Sequence, residues 1–206
     1  MKIFANVISI LFHPLLMITY GMVMTLLYTY LSIYPLNMKL VMIGGAFVCT
    51  GLVPGLFILL LKLSGSVSDL EVTDRSERVL PFLVMIFSVL VFIFFIRRMQ
   101  VPFWFVGILI GVVLSLLLSL VVNFYWKISI HGVGIGGLIG AVMGIARIHM
   151  VNASWLFMLL ILIAGSLATA RIILNKHTPM QMYAGICLGF ICTFVTSIVS
   201  YIYLLI

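Results

Sequence analysis

Acidic residues are scarce in this chain: four Asp and Glu occur among 206 residues, and charged residues of both signs make up 7%. A soluble domain carries roughly 25% charged residues. With a mean hydropathy of +1.40, the chain lacks the polar surface to face water, so lipid must be its solvent. Cysteine is also scarce. Cys49, Cys187 and Cys192 stand singly in apolar runs, without the paired spacings of disulfide or metal frameworks, and read as small buried hydrophobes. No low-complexity linker or long repeat divides the chain, and the length leaves no room for a soluble domain. The expectation is therefore a single integral membrane domain over 1–206. The net charge of +7 would suggest nucleic acid in a soluble protein. Here the basic residues are scattered between apolar runs, which fits headgroup anchors or ligands for an anion, with no nucleic-acid partner.

Apolar runs occur at roughly 7–32, 40–62, 80–96, 101–124, 132–148, 154–174 and 180–205, against about 20 residues needed per spanning helix. The fold class expected is all-α: a polytopic transmembrane helical bundle of six or seven spanning helices. The first run follows Met-Lys without a small-residue cleavage site, so it reads as a retained helix. His13-Pro14 within it reads as a kink with an inward polar group. Breaks near 33–39, 97–100 and 149–153 are short. The other three hold most of the polar chemistry: Asp69 to Arg78, Trp126 to His131, and Arg171 to His177. Each span reverses the membrane side, so breaks after spans two, four and six share one face. Three distant islands are thereby expected to converge. Basic residues divide seven against four between the faces, and three against four without Arg75, Arg78, Lys127 and Arg171, so charge asymmetry carries no orientation. Tyr125, Trp126, Trp104 and Trp155 fit aromatic belts, and Arg147 and His149 fit the opposite interface.

Ionisable groups at membrane depth cost several kcal/mol unless paired or hydrated, which marks Arg78, Arg171, His131 and His177 as functional candidates. Neighbouring guanidinium groups repel, and an anion between them removes the penalty. Phosphate suits because guanidinium binds its oxygens bidentately, and two imidazoles beside it supply a nucleophile and a general acid. In His131-Gly-Val-Gly-Ile-Gly-Gly137, a helix starting near Ser129 would aim backbone N–H groups at an anion. Ser129 would cap that helix or donate to the phosphate. Gly136, Gly140 and Gly144 equally suit close helix packing.

These residues resemble the type 2 phosphatidic acid phosphatase (PAP2) superfamily. Arg171, five residues, His177, three residues and Gln181 are similar to its third motif, Ser-Arg-x5-His-x3-Asp. Ile128-Ser-Ile-His131 resembles the second, Pro-Ser-Gly-His, and Glu77-Arg78-Val-Leu-Pro81 is a loose counterpart of the first, Lys-x6-Arg-Pro. The likeness covers roughly 70–200, making 69–206 a PAP2-like core with the helices of 1–68 outside it. More narrowly it resembles a divergent membrane branch from Bacteroidetes-type bacteria. The resemblance implies a hydrolase for a membrane lipid phosphate, isoprenoid phosphate or pyrophosphate, on the extracytoplasmic face of a bacterial inner membrane. It implies no metal, no cofactor and no obligatory protein partner. His177 would attack phosphorus, and His131 would protonate the leaving oxygen. Arg78, Arg171, Ser129 and the Gly132 amide would hold the phosphate oxygens. Glu71 stands where the family has Lys, with Arg75 the substitute one turn before Arg78, and Gln181 replaces the Asp that orients the nucleophile. A Gln carbonyl still fixes the imidazole tautomer but cannot balance a positive charge. The alternative implied is a catalytically weakened relative that binds or transports such a lipid.

Overall fold

The computed structural model describes residues 1–203, and among these every regular element is helical. The α-helices are α1 (Lys2–Leu11), α2 (Pro14–Tyr28), α3 (Leu36–Ala46), α4 (Val53–Leu63), α5 (Val79–Arg98), α6 (Phe103–Tyr125), α7 (Ile130–His149), α8 (Ser154–Ile173) and α9 (Pro179–Ile202). Six continuous helical stretches are long and apolar enough to cross a membrane: Leu36–Leu63, Ser76–Arg98, Phe103–Tyr125, Ile130–His149, Ser154–Ile173 and Pro179–Ile202. The α1–α2 pair makes a seventh if its halves form one span. The protein is an all-α polytopic bundle. Positions 204 and 205 of the last expected run lie outside the described residues.

Two irregularities have local causes. Between α1 and α2 the axis bends by 55°, because Pro14 has no N–H to continue the first helix and suits the first position of a new one. His13 becomes the cap of α2, its Nδ1 accepting the Leu15 N–H at 3.4 Å, so the kink expected at His13-Pro14 is present. Between α3 and α4 a π-helical segment, Phe47–Leu52, keeps the 28-residue stretch continuous. Pro54 lies just beyond it; its ring conflicts with the Thr50 carbonyl in an α-helical register, and the wider register relieves that conflict. The second span also begins at Leu36, not near 40. Asn37 and Lys39, expected in a connection, form its first turn, where polar side chains still reach the headgroups.

The bundle is built around α7, which packs most closely against α9. A Cβ at Gly136 would land on the Ile186 carbonyl, and one at Gly189 on the Val133 carbonyl. Helix backbones therefore touch directly, as small residues permit in lipid. Gly132 belongs to the same seam, since a Cβ there would sit 2.7 Å from the Met182 carbonyl oxygen. Trp104, expected in an aromatic belt, is instead buried, its Nε1–H donating to the Tyr30 hydroxyl at 3.1 Å. A buried indole needs that partner.

Candidate functional site

The three polar islands meet at one end of the bundle. Arg75 Nη1 donates to the Tyr125 carbonyl at 2.8 Å, Arg78 Nη1 to the Ile128 carbonyl at 3.0 Å and Lys176 Nζ to Thr73 Oγ1 at 3.1 Å. Arg171 Nη2 pairs with Glu71 Oε2 at 3.2 Å. The first island folds on its own carboxylates: Asp69 accepts the Thr73 N–H, Asp74 the Ser76 N–H, and Glu77 the Ser68 N–H and hydroxyl. Within it Val72 holds φ +48°, a strained value for a β-branched residue. The bond from Arg78 Nε to its carbonyl, 2.8 Å, holds it there.

Below this loop lies a cavity of about 70 Å³ whose walls include Arg78, Arg171, His131, His177, Glu71 and His13. That volume admits several waters or one tetrahedral oxyanion. Both arginines are 3% exposed. Arg78 spends its bonds on the carbonyls of Val72, Ile128 and Thr73 and makes no ion pair among the described residues. Arg171 donates Nη1 to Ser9 Oγ at 2.7 Å and Nη2 to Glu71, which Lys176 also meets at 3.3 Å. Its Nε is buried without a partner among the described residues. Glu71 is thus shared between Arg171 and Lys176 while Arg78 has no carboxylate partner among the described residues, and each guanidinium keeps donors beyond its bonds. The cavity carries uncompensated positive charge, a costly condition at low dielectric that an anion relieves.

His177 lies in the turn between α8 and α9, where α9 opens on a capping box. Thr178 Oγ1 accepts the Gln181 N–H at 3.4 Å, and Gln181 Oε1 accepts the Thr178 N–H at 3.1 Å. A backbone N–H can only donate, so the atom facing it is the amide oxygen. The same Oε1 lies 3.1 Å from His177 Nδ1, so Nδ1 carries the hydrogen and the Nε2 lone pair is left for chemistry. Burial, with the nearby charges of Arg171, Arg78 and Lys127, holds the imidazole pKa down to about 3, against the pull of the Gln181 bond. At neutral pH His177 is uncharged.

No family model, characterised protein or solved structure matches this chain.

Of the residues expected from sequence, Arg78, Arg171, His131 and His177 line the one cavity, and Gln181 stands behind His177. Ser129 is fully buried as the cap of α7, its Oγ accepting the Gly132 N–H at 3.3 Å and its own N–H donating to the Gln181 carbonyl at 3.2 Å. In this state the Gly132 amide is engaged by Ser129. Arg75 is not brought in: regular structure begins only at Ser76, and its exposed side chain turns to Tyr125. Two polar residues of the first helical pair join the cavity region instead. Ser9 bridges Arg171 and His131, whose Nε2 lies 3.5 Å from its Oγ, and the His13 ring meets that of His131 edge-on at 5.3 Å. Their polarity within a long apolar run is the signal that could have found them, although the bend before Pro14 takes them off a common helical face.

Proposed function

We propose that the protein is a PAP2-like phosphatase that hydrolyses a lipid phosphate or pyrophosphate through a phosphohistidine. One observation carries the reading: two buried arginines and two histidines from three separate islands line one cavity, with the His177 tautomer set for attack through Nε2. In the first step Nε2 bonds to phosphorus, the ester P–O bond breaks, and His131, which takes up a proton as the anion binds, gives that proton to the leaving oxygen. In the second, water attacks the phosphohistidine, His131 takes its proton, and free phosphate leaves. Arg78 and Arg171 stabilise the charge that gathers on the equatorial oxygens. A site beside the spanning helices favours a substrate whose tail stays in the bilayer. The purified protein should release phosphate from a lipid phosphate, and His177→Ala should abolish release; undiminished activity in that variant overturns the mechanism.

A second reading draws on Glu71 and Gln181. The Glu71 carboxylate occupies a donor of Arg171, and Gln181 offers no charge to balance an imidazolium. Both suit a protein that binds or moves the same class of lipid with little turnover. Retained lipid-phosphate binding with no release by the wild-type protein selects this reading.

A further inference from the structure

Beneath the polar cavity lies a second, apolar one that runs as a cleft between the helices. The two share Pro14, Met85, Leu116 and Ile130 as walls. This cleft exists because of how the helices pair: α2 packs closely on α7 and α5 on α6, α6 meets α7 more lightly, and α2 makes no substantial contact with α5 or α6. Its lining is apolar apart from Thr25 and Ser115. Those hydroxyls bond back to the Gly21 and Val112 carbonyls of their own helices, at 2.7 and 2.8 Å. Nothing in it calls for water, and apolar cavities of this kind stay dry or take up hydrocarbon.

Its depth can be read along two helices independently. On α2 the lining runs from Pro14 to Thr25, and on α7 from Ile130 to Ala141; at 1.5 Å per residue each gives ~16 Å. Half of a ~30 Å hydrocarbon core is ~15 Å. The cleft therefore begins at the phosphate-sized cavity and reaches about one leaflet inward.

We propose that this cleft holds one hydrocarbon chain of the phosphorylated lipid whose headgroup enters the polar cavity, and so selects substrates with leaflet-length chains. The proposal rests on the phosphate reading of the upper cavity and adds to it where the tail goes. Gly21 is the place to test it, because a Cβ there meets only Leu138 Cδ1 at 3.5 Å, an ordinary contact. Gly21→Leu fills the cleft, and Gly21→Ala is the milder step that the fold accommodates.

The experiment measures affinity for butyl, octyl, dodecyl and hexadecyl phosphate with protein in lipid nanodiscs. Partitioning of each chain into the bilayer is the same for every variant, so the dodecyl-to-butyl affinity ratio compared between variants isolates the cleft. The ratio should fall at least ~10-fold in Gly21→Leu, equivalent to losing two or so buried methylenes. It should fall by a smaller factor in Gly21→Ala, with butyl phosphate unaffected in both. In the wild type the gain should level off near dodecyl. An equal ratio in all three proteins, with butyl phosphate bound, overturns the chain site and leaves the phosphate reading standing. Failure of the wild type to bind any homologue overturns both.

Discussion

Gln181→Glu separates two jobs that one side chain performs. In the capping box Glu serves as well as Gln, because either side-chain oxygen accepts the Thr178 N–H, so α9 should keep its start. For His177 the exchange is not neutral. A carboxylate oxygen would replace an amide oxygen 3.1 Å from Nδ1, and unit charges at that distance attract by ~5 kcal/mol at an effective dielectric of ~20. That is a ceiling, since the amide dipole already supplies part of it. The imidazole pKa should climb from about 3 to ~4–6. Histidine-selective nitrogen NMR across a pH titration reads this directly. Phosphate release should rise with it. The analogous Asp-to-amide exchange in serine proteases costs ~10⁴-fold, largely through the wrong tautomer. Here the tautomer is already right, so the gain should be ~10- to ~100-fold. An unmoved His177 titration in a protein of unchanged thermal stability would refute the contact between the two side chains.

Other perturbations follow from the same geometry. Glu71→Gln removes the counter-charge of Arg171 while its amide oxygen can still accept the bond. Because the carboxylate is about a third exposed and the pair is partly screened, phosphate or vanadate affinity should rise only ~2- to ~5-fold, read by calorimetry. Arg78→Ala orphans the buried carbonyls that it bonds and should cost ~2–4 kcal/mol in thermal unfolding, whereas Glu77→Gln should leave stability nearly unchanged. Gly136→Ala drives a Cβ into the Ile186 carbonyl and should destabilise by ~1–3 kcal/mol, while Gly165→Ala, with nothing within 4 Å, should be neutral. His177 has a folded pKa below its ordinary 6.5, so between 6.5 and about 3 the unfolded chain binds the extra proton. Its contribution is whole above 6.5 and is lost as pH falls. Thermal scans should show a flatter acid limb in His177→Asn.

The spans were legible because a chain with so few charges shows its interruptions, and helix parity alone put three of them on one face. The four ionisable candidates followed for the same reason: a buried cation in an apolar chain has few innocent explanations. What escaped the sequence depended on local backbone choices. Arg75 looked one turn from Arg78, yet the helix begins after it, so the two side chains diverge. Thr178-Pro-Met-Gln181 is a capping-box signature, but its reach to His177 depends on a turn in which Asn175 adopts φ +54°, which spacing does not reveal. His13 read only as an inward polar group at a kink, and Ser9 drew no reading. The 55° bend at Pro14 accompanies their place beside the cavity and joins the chain outside the resembling core to the residues within it.

The scarcity of carboxylates also explains the charge of the site. Asp69, Asp74 and Glu77 accept the N–H groups that fold the first island; Asp69 adds only a long 3.9 Å contact to the partly exposed Lys176. Glu71 is therefore left as the one acidic side chain that meets a buried cation among the described residues. Arg78 is held by carbonyl dipoles, which satisfy its N–H groups but do not cancel a unit charge. The three histidines on the walls, His13, His131 and His177, leave that balance untouched while neutral. One positive charge remains over at the edge of a hydrocarbon medium, facing the cavity that opens onto the leaflet-deep cleft. Carbonyls would have sufficed to fix an arginine for packing alone, and a second carboxylate would have closed the account. An incomplete set of counter-charges beside a free imidazole nitrogen is what the proposed phosphatase reading requires of the site before a substrate arrives.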